Sequence, residues 1–159
     1  MKKLSVILIL IIIIAACNNN DTNNTANADQ FDSTSIAKNN PNPAYDPHRG
    51  EGKFKKVDLA PTLDQAMATN GEKVYSVKCS GCHKMTDEKL VGPGWKGVTG
   101  RNTPEWIMNF ITNTDEMLTK DPKAQAQLEI CLVRMPNQNL SDDDARHLLE
   151  FMRKNDGVR

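Results

Sequence analysis

The sequence predicts an all-α fold, and three observations carry that expectation. From about residue 61 onward, apolar residues recur at the three- and four-residue spacing of a helix face. Several of these stretches follow a Thr, Asp or Ser with Pro or an acidic residue just behind it, the signature of a helix start. No run alternates apolar and polar residues as a half-buried strand would, and there is neither an internal repeat nor a Gly-rich phosphate loop. With 159 residues, 38% of them hydrophobic and only 5% aromatic, the chain can build one small core. A core of that size gains from covalent or cofactor stabilisation. Twenty basic residues balance twenty acidic ones, which argues against a nucleic-acid partner held by a broad positive field.

The N-terminus reads as an export signal. Lys2 and Lys3 precede the apolar run Leu4 to Ile14, then Ala15 and Ala16, then Cys17. The run is too short to span a bilayer comfortably. Ile14-Ala15-Ala16-Cys17 resembles the lipobox of bacterial lipoproteins, which implies removal of residues 1–16 and lipidation of Cys17. Two or more acyl chains, at about 0.8 kcal/mol per buried methylene, would hold the chain stably on a membrane. The expected organisation is a signal peptide over 1–16, a lipidated N-terminus with a disordered polar linker over 17–60, and a folded domain over 61–159. The linker is rich in Asn, Asp, Thr, Ser and Pro, so ordering it would cost entropy with little burial in return.

The helices follow in order. Thr62 is positioned to cap a helix carrying Met67, Val74 and Tyr75 toward Cys79, with Gly71 inside it. Thr103-Pro104-Glu105 starts a second, with Trp106, Ile107, Phe110 and Ile111 at core-face spacing. Asp121-Pro122 opens a third, with Leu128 and Leu132 on one side. Ser141 and Asp144 form a capping box for the last, whose stripe is Ala145, Leu148, Leu149 and Met152 and which ends near Gly157.

Chemistry concentrates at Cys79-Ser80-Gly81-Cys82-His83. At this C-x-x-C-H spacing, two thiols add across the vinyl groups of haem and the adjacent imidazole becomes an iron ligand. A zinc site would need a second Cys/His pair, whereas Cys131, His48 and His147 are scattered. A redox dithiol would need a βαβ context. Met135, in an irregular segment before Pro136, is the expected second axial ligand, with Met117 its nearest rival and His147 a more distant one. Met108 and Met152 read as core filler. Cys131, beside Leu132, is expected as a buried apolar residue, the alternative being a reactive thiol. Between Gly71 and Arg101, Lys and Arg outnumber Asp and Glu, while Asp142 to Asp144 concentrate negative charge elsewhere.

From about Ala66 to Met152 the chain resembles the class I monohaem cytochromes c. The likeness rests on Gly71 and Tyr75, the Cys79 to His83 motif, Val91-Gly92-Pro93, Met135-Pro136 and a closing helix with Phe151. The resemblance implies one covalent haem c held by Cys79 and Cys82, with His83 and Met135 on the iron. It implies that the Pro93 carbonyl accepts the other ring N–H of His83, and that Gly71 lets the first helix approach Phe151 of the last. Arg101, Trp95 and Trp106 would surround the haem propionates, although Trp106 also reads as core and Arg101 as solvent-facing. The implied function is single-electron transfer outside the cytoplasm by a monomer on the periplasmic side of a bacterial membrane. Its donor would be a membrane quinol oxidoreductase and its acceptor a terminal oxidase or a periplasmic reductase of denitrification. The alternative is a haem with an open sixth position, acting on peroxide or binding a diatomic gas.

Overall fold

In the computed structural model, which describes residues 45–159, the secondary structure is helical. The helices are α1 Gln65–Lys78, α2 Val98–Arg101, α3 Pro104–Thr112, α4 Thr114–Lys120, α5 Pro122–Cys131 and α6 Asp142–Asn155. Among the described residues the only strand-like pairing is an isolated antiparallel bridge between His83 and Lys89. The expected signal segment, Cys17 and the expected linker up to residue 44 lie outside the described residues.

Local chemistry explains the helix boundaries. Asp64, two residues after the expected Thr62, caps α1 by accepting from Met67 N–H at 2.9 Å. Thr103 caps α3, with Pro104 at its first turn, and Asp121 caps α5 in the same way. Ser141 accepts from Asp144 N–H at 3.0 Å and opens α6, whose first turn is Asp142-Asp143-Asp144 and whose last turn carries Arg153 and Lys154, both favourable to the helix dipole. Two short helices escape the sequence pattern. α2 is one turn behind Gly97, whose φ of 73° is left-handed, and α4 buries only Thr114, Met117 and Leu118. α5 ends at Cys131 because Leu132 adopts a left-handed φ of 61°, which turns its side chain into solvent, away from the face shared by Leu128.

The central contact is α1 against α6. A Cβ on Gly71 would lie 2.0 Å from the His147 carbonyl oxygen and 2.8 Å from Phe151 Cβ, so the two backbones meet where only glycine fits. Leu148 and Leu149 are 1% and 0% exposed, and each contributes about 1.5–3 kcal/mol by leaving water. A buried carboxylate reinforces this packing. Glu150 accepts from Asp64 N–H at 2.9 Å, from Arg146 at 2.7 Å and from Arg153 at 2.6 Å, while Arg153 also donates to the Ala60 carbonyl at 2.6 Å.

Residues 45–60, assigned from composition to the linker, are anchored to the helices. Asn109, fully buried, accepts from Phe54 N–H at 2.9 Å and donates to the carbonyls of Arg49 and Phe54 at 2.8 and 2.9 Å. Val57 N–H donates to Glu105 at 2.8 Å, and Tyr45 donates its hydroxyl to buried Asp121. Phe54, Val57 and Leu59 pack on the core. Gly50, at φ 65°, and Gly52 pass so close to Met117 and Asn109 that a side chain at either would collide. Composition missed this strap because few apolar residues suffice when buried side chains satisfy the backbone.

Candidate functional site

α1 delivers the motif. Its C-cap is Cys79, whose N–H bonds the Tyr75 carbonyl at 2.9 Å. Cys82 N–H and His83 N–H both donate to the Cys79 carbonyl, at 3.0 and 2.9 Å, and this turn leaves Cys79 buried, Cys82 exposed and His83 half-buried. Burial pushes the Cys79 thiol up to about 11. The chain then folds back on the motif. Val91 and Gly92 donate to the Cys82 carbonyl at 3.2 and 2.9 Å, Trp95 N–H donates to Lys84 at 2.9 Å, and the Tyr75 hydroxyl donates to the His83 carbonyl at 2.7 Å.

That return loop sets the imidazole. His83 Nδ1 lies 2.9 Å from the Pro93 carbonyl, the partner that orients the ring and leaves Nε2 for a metal. Burial lowers the His83 pKa, with the Pro93 bond pulling the other way, so the ring is held in the neutral form that ligates. A Cβ on Gly92 would sit 2.3 Å from His83 Cε1, and one on Gly94 would sit 2.2 Å from the Thr86 carbonyl oxygen. Both glycines are required by close approach. The Trp95 ring packs beside His83, centroids 5.4 Å apart, and against Tyr75 at 5.1 Å.

In front of His83 opens a crevice with two lobes. One, of about 560 Å3, is walled by Cys82, Val91, Leu118, Leu128, Cys131 and Val133. The other, of about 620 Å3, is walled by Trp95, Val98, Arg101, Trp106, Ile111 and Met152. His83, Pro93, Phe110, Gln127 and Met135 line both, so the imidazole and the thioether belong to the one crevice. The residues present fit a haem: Cys82 on the crevice wall with Cys79 buried in the same turn, a neutral imidazole cradled by Gly92, a thioether in the same crevice, and largely aliphatic and aromatic walls. Met117 is fully buried elsewhere, its sulfur accepting from Glu51 N–H at 3.0 Å, and neither it nor His147 lines the crevice.

The remaining expected site residues divide. Arg101 stands at the crevice, exposed, and bonds the Lys96 and Gly94 carbonyls at 2.6 and 3.3 Å. Trp106 lines the same lobe, but its indole N–H donates to Asp121 at 3.0 Å, so it forms wall and has no donor left for a propionate. Cys131, expected to be buried, is half-buried and lines the crevice, because α5 ends there. The sequence places Phe110 in the core and Asp121 at a helix start, and gives Gln127 no role. Phe110 stacks on Trp106 at 5.0 Å and, through that register, reaches both lobes. Gln127 carried no signal, since nothing local marks a helix face that borders a cavity.

A family model described as cytochrome c matches residues 68–156. Among solved structures, the chain is similar to a cytochrome c from Rhodothermus marinus, at 32% identity and a TM-score of 0.64, over 66% of this chain and 90% of that one. An engineered cytochrome c from the same organism aligns at 31% identity, with a TM-score of 0.63 and the same coverage. A further structure of the engineered protein, bound to a carbene intermediate, aligns at 31% identity with a TM-score of 0.61, also over 66% and 90%.

Proposed function

This chain belongs to the cytochrome c family and is an electron carrier with one covalent haem c at Cys79 and Cys82, and we propose that His83 and Met135 are the axial ligands with which it works. The observation that carries this reading is that His83 and Met135 line both lobes of one crevice while Met117 and His147 line neither. Bound there, haem supplies an iron that cycles between ferrous and ferric. Met135 offers a neutral sulfur, which favours the ferrous state and raises the reduction potential. His83 is held in one tautomer by Pro93, and the apolar walls of Trp95, Phe110 and Met152 keep water away and the reorganisation on electron transfer small.

A six-coordinate, low-spin spectrum with the weak far-red band of ferric iron bound to thioether is the expected outcome. Met135→Ala should lower the midpoint potential and let carbon monoxide or cyanide bind. An unchanged spectrum in that variant would remove Met135 from the iron. A wild-type spectrum that is high-spin and shifts with those ligands would favour an open sixth position and a peroxidase or gas-binding role.

The setting of the reaction belongs to the same proposal. Ile14-Ala15-Ala16-Cys17 supports a lipid anchor at Cys17 on the periplasmic side of a bacterial membrane. There the domain would work as a monomer that takes electrons from a quinol oxidoreductase. It would pass them to a terminal oxidase or a denitrification reductase, and the acceptor is whichever purified membrane or periplasmic enzyme oxidises the ferrous protein. Radiolabelled palmitate should enter the wild-type chain and not Cys17→Ala.

A further inference from the structure

Asn102 carries, among the described residues, the one buried side-chain oxygen or nitrogen without a partner, its Oδ1. The residue is 8% exposed, and a buried acceptor left without a donor is unfavourable because it loses its hydration without replacement. Turning the amide over does not relieve it. Nδ2 donates to the Val98 carbonyl at 3.1 Å, and the reversed amide would set oxygen against oxygen. Asn102 stands between two spaces. On one side is the lobe of the crevice shared with Trp95 and Arg101; on the other is a rear cavity of about 470 Å3 walled by Leu59, Thr99, Ile107, Leu149 and Arg153.

What fills the crevice is a poor candidate for the missing donor. The edges of a haem carry methyl and vinyl groups, which do not donate, and carboxylates, which when ionised only accept. The rear cavity offers a better solution. Thr99 gives its hydroxyl proton to Asp156 at 2.6 Å and keeps a lone pair, and Arg153 has five N–H donors, with named bonds to Glu150 and to the Ala60 carbonyl. A water that donates to Asn102 Oδ1 there has two further polar groups on the same cavity wall, and an internal water is stable with two to four such partners.

We propose that Asn102 anchors an ordered internal water in the rear cavity, and that this hydrated amide, bordering the crevice, helps to stabilise the oxidised state. The ligand class is a single small hydrogen-bond donor, water itself. The redox half of the inference rests on the haem-carrier reading, because its physical basis is the extra positive charge of the ferric state, which a polar, hydrated wall accommodates better than an aliphatic one. Asn102 is a positioning residue in this scheme. It touches the water, and the pair shapes the field in the crevice.

The test is a crystal structure of the haem-loaded protein at a resolution that shows ordered water, together with redox titration of Asn102→Leu and Thr99→Val. The expected result is a water within hydrogen-bonding distance of Asn102 Oδ1 on the rear-cavity side. It should be lost in Asn102→Leu, with the midpoint potential raised while the visible spectrum stays low-spin. Thr99→Val keeps the Asn102 amide and should weaken the water's occupancy with a smaller rise, which guards against poor folding of the first variant. A dry Oδ1, a direct bond from the cofactor to Oδ1, or an unchanged potential in both variants overturns the inference. Failure of the carrier reading would show separately, as a spectrum without six-coordinate haem.

Discussion

A methyl group added at Gly71 would meet the His147 carbonyl, which is backbone and cannot rotate aside. Gly71→Ala gains about 1 kcal/mol of helix propensity, yet overpacking of this kind costs about 1–3 kcal/mol. The upper end applies at a 2.0 Å approach, so a net loss of roughly 2 kcal/mol is expected on chemical denaturation of the haem-loaded protein. Gly92 presents the same problem with a different consequence, since its neighbour is the His83 ring. Gly92→Ala should displace the imidazole from Pro93 and perturb the low-spin spectrum more than it perturbs overall stability. If the spectrum of Gly92→Ala matched wild type, the cradle would have no functional weight. Asn109 is the residue on which the strap depends. Asn109→Leu leaves Phe54 N–H and two carbonyls without their buried partner, for an expected loss of about 2–4 kcal/mol.

Among the elements, α6 does most to hold the fold, and its ends are held by different forces. Ser141→Ala removes the cap of its first turn and should cost about 1 kcal/mol without touching the spectrum. Near its other end, Glu150 links α6 to the start of α1 and, through Arg153, to the strap. Burial alone would raise its pKa, but bonds from Arg146, the Asp64 N–H and Arg153, with the charge of Arg153, bring it below the ordinary value. A carboxyl whose folded pKa is depressed contributes stability above its unfolded value of about 4.3 and loses it as pH falls toward the folded value. Stability should therefore decline below about pH 4–5, and Glu150→Gln should flatten that part of the profile. A variant with the same acid limb as wild type would assign the decline to other carboxylates.

For the molecule as a whole, the strap and the crevice are coupled through one carboxylate. Asp121 caps α5, accepts the Trp106 indole N–H that holds a crevice wall, and accepts the Tyr45 hydroxyl at the start of the strap. Burial and Asp121 push the Tyr45 hydroxyl far above its ordinary range, so it stays a donor. Tyr45→Phe should loosen the strap, speeding amide exchange over residues 45–57 while the spectrum holds. The charge asymmetry of the haem-bearing third is softened in three dimensions. Lys84 pairs with Glu88 at 2.6 Å, and exposed pairs of this kind are worth little and are screened by salt.

Much of this protein was legible in the chain itself, and the reason is that those features are local. Covalent attachment depends on two cysteines and a histidine within five residues, helix starts depend on a cap and its next three residues, and an apolar stripe depends on periodicity. The all-α class, the haem motif and the α6 boundaries follow from such short-range terms, whereas the need for glycine at position 71, which the family resemblance implied, comes from the approach of α6. Other features required distant residues to meet. The strap over 45–60 depends on Asn109, Glu105 and Asp121, the spending of the Trp106 donor depends on Asp121, and the half-burial of Cys131 follows from Leu132 turning left-handed. The choice of Met135 over Met117 as crevice residue, and the orphaned oxygen of Asn102, are likewise facts of packing. Sequence patterns report which residues seek burial; only the assembled fold decides which buried polar groups find each other and which are left facing a cavity.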